Sequence, residues 1–210
     1  AYTEGSTVNL TIENLNGVKV WGASSTANTI NITMKNCSLK GNGPKDFSLS
    51  LVMNRGVNPN AVTNITLDGC HMENAQVGLH TIYAGKTVVK NCTFKASRPI
   101  KVVEQGVDGA NVTITGNKFD MSLGNSANDT SKPKNDAIMF STITNTSTLG
   151  NVVVSGNEVT DANALLTFFN PSKITMADGA TFQVSNNTLN GAKLSVEWKT
   201  TTEYTPDFVQ

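Results

Sequence analysis

Short stretches of alternating apolar and polar residues recur seven times along this chain. Each copy has an apolar position, a spacer, a second apolar position and another spacer, then Asn or Gly and a compact residue. Such alternation predicts β-strands with one buried face. Recurrence at intervals of about 22 to 40 residues predicts a solenoid whose turns carry loops of unequal length. The copies begin at Leu10, Ile32, Ile65, Thr87, Val112, Val152 and Phe182.

The alternation assigns a side of the strand to each position. The second apolar position is predicted to face the core, and its residues are Ile12, Met34, Leu67, Val89, Ile114, Val154 and Val184. The spacer nearest the turn faces outward and reads Glu13, Lys35, Asp68 and Lys90 in the first four copies. Parallel strands lie about 4.8 Å apart, so stacking would set opposite charges side by side.

The compact residue after the turn forms a second column. After Leu15 in the first copy, this column reads Cys37, Cys70, Cys92, Asn117, Asn157 and Asn187. Thiols pack as small hydrophobes, and stacked Asn amides hydrogen-bond from one coil to the next. Three cysteines cannot all pair within the chain, so we favour a stacked structural ladder over a disulfide framework.

A further apolar stretch follows each copy and predicts a second sheet. These stretches are residues 18–20, 49–53, 77–79, 100–102, 138–140, 166–168 and 194–196. The hydrophilic insertion at about residues 121–136 is predicted to loop out on the surface. A chain of 210 residues with no change of composition along it predicts one domain.

With its Asn column and its compact turn residues, the chain resembles the pectate-lyase-like (pectin lyase-like) superfamily from Val8 to Trp198. It also resembles the β-helical regions of large secreted surface proteins from Gram-positive gut bacteria. The resemblance implies an all-β, single-stranded, right-handed parallel β-helix of about seven coils. Residues 1–7 would form its N-terminal edge, residues 8–198 its coils and residues 199–210 a C-terminal cap or tail. The superfamily includes lyases, hydrolases and adhesins, so the resemblance specifies a fold and not an activity.

Composition narrows the classes of partner. Lys plus Arg and Asp plus Glu both number 16, so no net charge attracts nucleic acid. No apolar run approaches the roughly 20 residues that span a bilayer. We expect an extracellular or cell-surface location, membership of a larger chain, and a monomer in isolation whose partner would be a polysaccharide or cell-surface glycan.

The chemistry of an enzyme is harder to find in this sequence. A calcium-dependent lyase needs converging carboxylates and a basic residue, and a glycoside hydrolase needs two carboxylates. The chain has no Asp-Asp pair, and the string Arg98-Pro99-Ile100-Lys101 lacks carboxylate partners. We therefore predict no cofactor; calcium stays open as the one alternative, without a clear site. The leading hypothesis is a non-catalytic module, either a spacer or a carbohydrate-binding segment. The alternative is a polysaccharide lyase or glycoside hydrolase acting on an acidic polysaccharide.

Two groups of residues are candidates for a site. Outward positions of the second sheet predict a groove formed by Arg55, His80, Lys101, Glu104 and Asp136. Aromatic rings suited to stacking on a pyranose are Trp21, Tyr83 and Trp198. The competing interpretations are that the first group consists of ordinary exposed side chains and that Trp198 covers the last coil.

Overall fold

The computed structural model shows an all-β protein built from parallel strands. The structure describes residues 4–22, 28–44, 51–55, 58, 60–82, 84–103, 109–124, 136–141, 146–162, 164–169 and 173–194. The strands in these ranges are β1 (Thr7–Glu13), β2 (Val20–Gly22), β3 (Thr29–Lys35), β4 (Ser38–Lys40), β5 (Val52–Arg55), β6 (Val62–Asp68), β7 (His71–Ile82), β8 (Ala84–Lys90), β9 (Thr93–Val103), β10 (Ala110–Thr115), β11 (Lys118–Asp120), β12 (Asp136–Ser141), β13 (Ser147–Ser155), β14 (Glu158–Thr160), β15 (Ala164–Phe169), β16 (Ile174–Met176), β17 (Phe182–Ser185), β18 (Asn187–Leu189) and β19 (Ala192–Leu194).

The first sheet has eight strands and contains the seven repeated segments side by side. Its order is β1-β3-β6-β8-β10-β13, with β16 and β17 both beside β13. All these pairs are parallel, and the register aligns Leu10, Ile32, Ile65, Thr87, Val112, Val152 and Phe182. Like residues therefore lie beside like residues because the repeated segments are neighbours in the sheet.

The second sheet has eleven strands arranged in two rows, because β7 and β9 are long enough to join both rows. One row aligns six of the predicted apolar stretches through Val20, Val52, Leu79, Ile100, Ile138 and Leu166. The seventh stretch differs from the prediction at Leu194, the one residue of it that the structure describes. Leu194 belongs to β19, which runs antiparallel to β18 and pairs with Asn187.

The other row was not predicted from the sequence. It contains β4, β11, β14, β18 and the first halves of β7 and β9, and it aligns Leu39, Met72, Phe94, Phe119, Val159 and Leu189. Each of these residues lies two positions after the compact residue of its repeat and faces the interior. The rings of Phe94 and Phe119 stack there, with centroids 5.5 Å apart.

A single left-handed residue joins each repeated strand of the first sheet to the unpredicted row of the second sheet. The residues at this corner have φ between 50 and 65° and are Asn14, Asn36, Gly69, Asn91, Gly116, Gly156 and Asn186. Gly and Asn are the residues that adopt this conformation at least cost, which explains why only they occupy the position. At Gly69 a Cβ would also lie 2.6 Å from Oδ1 of Asn36, so a side chain there would force the Asn36 side chain to move.

The inward-facing residues of the two sheets form one continuous apolar cluster. Met34, Leu67, Val89, Ile114 and Val154 are fully buried in it. Ile12, on the edge strand β1, is only partly buried. Exposed large hydrophobic residues in the described ranges are Leu10, Leu15 and Trp21, all close to the same edge.

The predicted surface loop at residues 121–136 needs a correction at both ends. Met121 is fully buried, and its N–H donates to the carbonyl of Thr160. Asp136 is the first residue of β12. The intervening residues 125–135 lie outside the described ranges, as does the predicted tail at 199–210. Within the described ranges, no helix is long and apolar enough to cross a bilayer.

Candidate functional site

The compact residues after the corner form a buried column, here called the inner ladder: Cys37, Cys70, Cys92, Asn117, Asn157 and Asn187. Oδ1 of Asn157 accepts hydrogen bonds from the backbone N–H of Asn117 at 3.0 Å and from its Nδ2 at 2.9 Å. Nδ2 of Asn157 donates to Oδ1 of Asn187 and to the carbonyl of Ile114, each at 2.9 Å. Asn187 repeats the pattern by donating to the carbonyl of Val154. The side-chain amide of Asn157 is thus hydrogen-bonded through both its oxygen and its nitrogen.

The cysteines continue the inner ladder as free, buried thiols. The backbone N–H of Cys92 donates to Oδ1 of Asn117 at 2.9 Å, and the N–H of Cys70 donates to the sulfur of Cys92 at 3.3 Å. Contact with the Cys70 side chain, together with burial, raises the pKa of the Cys92 thiol. All three cysteines are free in the structure, as a stacked ladder requires and a disulfide framework does not.

Charged side chains on the outer face of the first sheet pair between neighbouring strands. Lys35 lies 2.9 Å from Glu13, and Lys90 lies 3.0 Å from Asp68. The hydrogen bond and the charge of Glu13 raise the pKa of Lys35. The hydrogen bond from Lys90 lowers the pKa of Asp68, and Asn91 adds to this effect. These charges are distributed along the sheet and do not converge on one point.

The outer face of the unpredicted row shows the same arrangement. Its ion pairs join residues that are partners in the strand register: Lys40 with Glu73 at 2.9 Å, Lys95 with Asp120 at 3.2 Å and Lys118 with Glu158 at 3.8 Å. All three pairs are substantially exposed. Pairing of this kind satisfies charges across a parallel sheet and does not by itself indicate a binding site.

Of the predicted groove residues, the structure brings His80 and Lys101 together. They are direct register partners on β7 and β9. However, His80 does not face solvent as predicted, because only 5% of it is exposed. Met139 and Thr167, the next residues in the same cross-strand line, are also buried. The outer face of this row is therefore covered near His80, and a polymer cannot reach the imidazole in this arrangement.

The other groove residues are placed only in part. Arg55 pairs with Ile82 at the end of β5, one strand away from His80. Asp136 begins β12 and pairs with Ala164. The side chains of Arg55 and Asp136, and the whole of Glu104, lie outside what the structure describes.

Trp21 presents the aromatic surface that a sugar ring could use. Its side chain lies on β2, and 53% of the residue is exposed. Nζ of Lys19 lies 5.4 Å from the centroid of its ring, which is cation–π distance. Trp21 was predicted from the sequence and Lys19 was not, although their spacing of two residues puts both side chains on one side of an extended segment. The other two candidates, Tyr83 and Trp198, lie outside the described residues.

Arg98 lies within β9, so the string Arg98-Pro99-Ile100-Lys101 forms the middle of a strand. The residue is buried, and its Nε and Nη2 have no hydrogen-bond acceptor among the described residues. The preceding Ser97 donates its hydroxyl proton to the carbonyl of Pro44 at 2.9 Å.

A metal centre finds no support in the described ranges. No group of three or more His, Cys, Asp or Glu side chains there could hold an ion. The expectation that the protein uses no cofactor remains a prediction.

The geometry defines the class of protein as all-β, with parallel strands in two sheets compatible with a β-solenoid. Comparison with known proteins adds no family: no family model, curated protein or solved structure matches the chain.

Proposed function

We propose that the chain is a right-handed parallel β-helix of about seven coils and pectate-lyase-like type, which serves as a non-catalytic module of an extracellular bacterial surface protein. Its primary role in this proposal is that of a rigid spacer within a larger chain, monomeric in isolation. The inner ladder carries the proposal, because its polar groups and the charges on the outer faces are used to hold neighbouring strands together.

A spacer must keep its length under load. The hydrogen bonds of the inner ladder resist separation of the stacked strands. Seven neighbouring strands of the first sheet span about 29 Å, because parallel strands are spaced by about 4.8 Å. Buried side-chain amides resist separation since each would lose its partners in an apolar interior. Buried free thiols are also compatible with an oxidising extracellular environment because they are shielded from oxidants.

The second part of the proposal is glycan binding at Trp21. An exposed indole gives a sugar ring an apolar face, and the neighbouring Lys19 supplies a positive charge. This combination suits a polysaccharide that contains acidic sugars. Ligand binding would exchange the contact of Lys19 with the ring for a contact with the sugar carboxylate.

The experiment combines a glycan array with assays for product release. We expect the wild-type protein to bind acidic glycans on the array and the Trp21→Ala variant not to bind them. Leu10→Ala is the matched control, because Leu10 is also an exposed hydrophobic residue near the same edge. Equal retention by wild type and Trp21→Ala would contradict the proposed site.

A polysaccharide lyase or glycoside hydrolase is the second candidate, because the partly exposed Lys101 is the cationic residue that the register places in the second sheet beside His80. Release of unsaturated uronate or of new reducing ends from an acidic polysaccharide would establish it. Loss of that activity in Lys101→Met would place the reaction at this residue. Binding without product release supports the non-catalytic module.

A further inference from the structure

A small cavity lies between the two sheets, close to the middle of the chain. Its water-accessible volume is about 20 Å³. Val112 on β10 and Phe140 on β12 contribute to its apolar wall. Thr87 on β8 and Ser141 on β12 also line it, and these residues are only 1% and 4% exposed. The cavity is therefore lined by a hydroxyl-bearing residue from each of the two sheets, within an otherwise apolar region.

Both hydroxyl groups lack a hydrogen-bond partner among the residues that the structure describes. Oγ1 of Thr87 and Oγ of Ser141 are buried and make no hydrogen bond to protein atoms. A hydroxyl removed from water without a partner destabilises a fold, so such groups usually have an ordered water beside them. Ser147, a third residue with a hydroxyl group, lines the same cavity.

The size of the cavity agrees with this chemistry. A water molecule needs about 10–15 Å³ of such space and two to four polar partners. The cavity offers enough room for one water molecule, and its lining offers the polar partners. The cavity is too small for a larger ligand. If it were empty, the hydroxyls of Thr87 and Ser141 would have no hydrogen-bond partner there.

We infer that the cavity is a specific binding site for one ordered water molecule, which bridges the hydroxyls of Thr87 and Ser141 and so links the two sheets. The apolar side chains of Val112 and Phe140 contact this water but form no hydrogen bond with it. The site is independent of glycan binding at Trp21 and of the inner ladder.

The test uses the sign of a stability change. Thr87→Val keeps the shape of the side chain and removes its hydroxyl. If water bridges the two groups, the variant deprives that water and Ser141 of a partner, and the midpoint of urea unfolding falls by about 0.5 M. If the cavity is dry, the variant removes an unsatisfied hydroxyl, and the midpoint stays the same or rises. Either of these last two results overturns the inference.

Thr167→Val is the matched control. Thr167 is fully buried and its hydroxyl also has no partner in the described part of the chain, but it does not line this cavity. Its replacement should leave the midpoint unchanged or raise it. A high-resolution crystal structure gives the direct readout: density for one water within about 3 Å of both Thr87 and Ser141 is expected. An empty cavity in that density would contradict the site even if Thr87→Val lowered the midpoint.

Discussion

Replacing Asn157 by Ala removes the central amide of the inner ladder. The side chain makes four hydrogen bonds: two accepted from Asn117, one donated to Asn187 and one donated to the carbonyl of Ile114. The site is fully enclosed, so water cannot take the place of the lost amide. The backbone N–H of Asn117 loses its acceptor, and Oδ1 of Asn187 keeps only the bond from the backbone of residue 157.

The magnitude follows from these bonds. Each hydrogen bond contributes about 1 kcal/mol net, and a stranded buried group adds to the loss, so we expect about 3–5 kcal/mol of destabilisation. That is a large part of the roughly 5–15 kcal/mol typical of a folded domain. The variant should therefore fold with much reduced stability.

Asn31→Ala is the control for this prediction. Asn31 also stacks between like residues, donating to Asn9 at 2.8 Å and accepting from Asn64 at 2.9 Å, but on the accessible outer side. Water can satisfy the remaining groups there, so the loss should be below about 1 kcal/mol. Urea unfolding followed by circular dichroism measures both variants. Equal losses for Asn157→Ala and Asn31→Ala would refute the role given to the inner ladder.

Three further outcomes are expected. Gly69→Ala should lower the melting temperature more than Gly156→Ala, since both have positive φ but only the first Cβ would collide, with Asn36. The pKa of Asp68 is lowered from 3.8 by Lys90, so its ion pair stabilises the fold above that value and loses this contribution as the pH falls through the lower, folded-state pKa. Melting curves of Asp68→Asn should therefore depend less on pH below about 4 than those of the wild type. A thiol reagent should label none of the three cysteines before unfolding and all of them afterwards; rapid labelling of the native protein would contradict their burial.

The sequence predicts the first sheet well because two local rules act together there. Alternation identifies the inward residues, and one Asn or Gly with positive φ ends each strand at the same place. The other row of the second sheet was not predicted, because β4, β11, β14 and β18 have three residues each, too few to show alternation. The signal that could have found it is an apolar residue two positions after the compact one, as in Leu39 and Met72.

The candidate site was harder to predict, because burial of an outward face depends on what lies over it. Alternation correctly puts His80 on the opposite side of β7 from the core residue Leu79, yet both residues are buried. The antiparallel β19 was missed for a related reason. Alternation gives the side of a strand that each residue occupies and not the direction of the neighbouring strand, so it cannot distinguish β19 from a parallel strand.

Distances between spin labels test the parallel stacking most directly. Thr11, Thr113 and Gln183 occupy one outward column of the first sheet, with Thr113 four strands and Gln183 six strands from Thr11. With labels on introduced cysteines, double electron–electron resonance should give separations of about 19 Å for Thr11 to Thr113 and about 29 Å for Thr11 to Gln183, before the common contribution of the linkers. Equal separations, or a shorter one for Gln183, would contradict the stack.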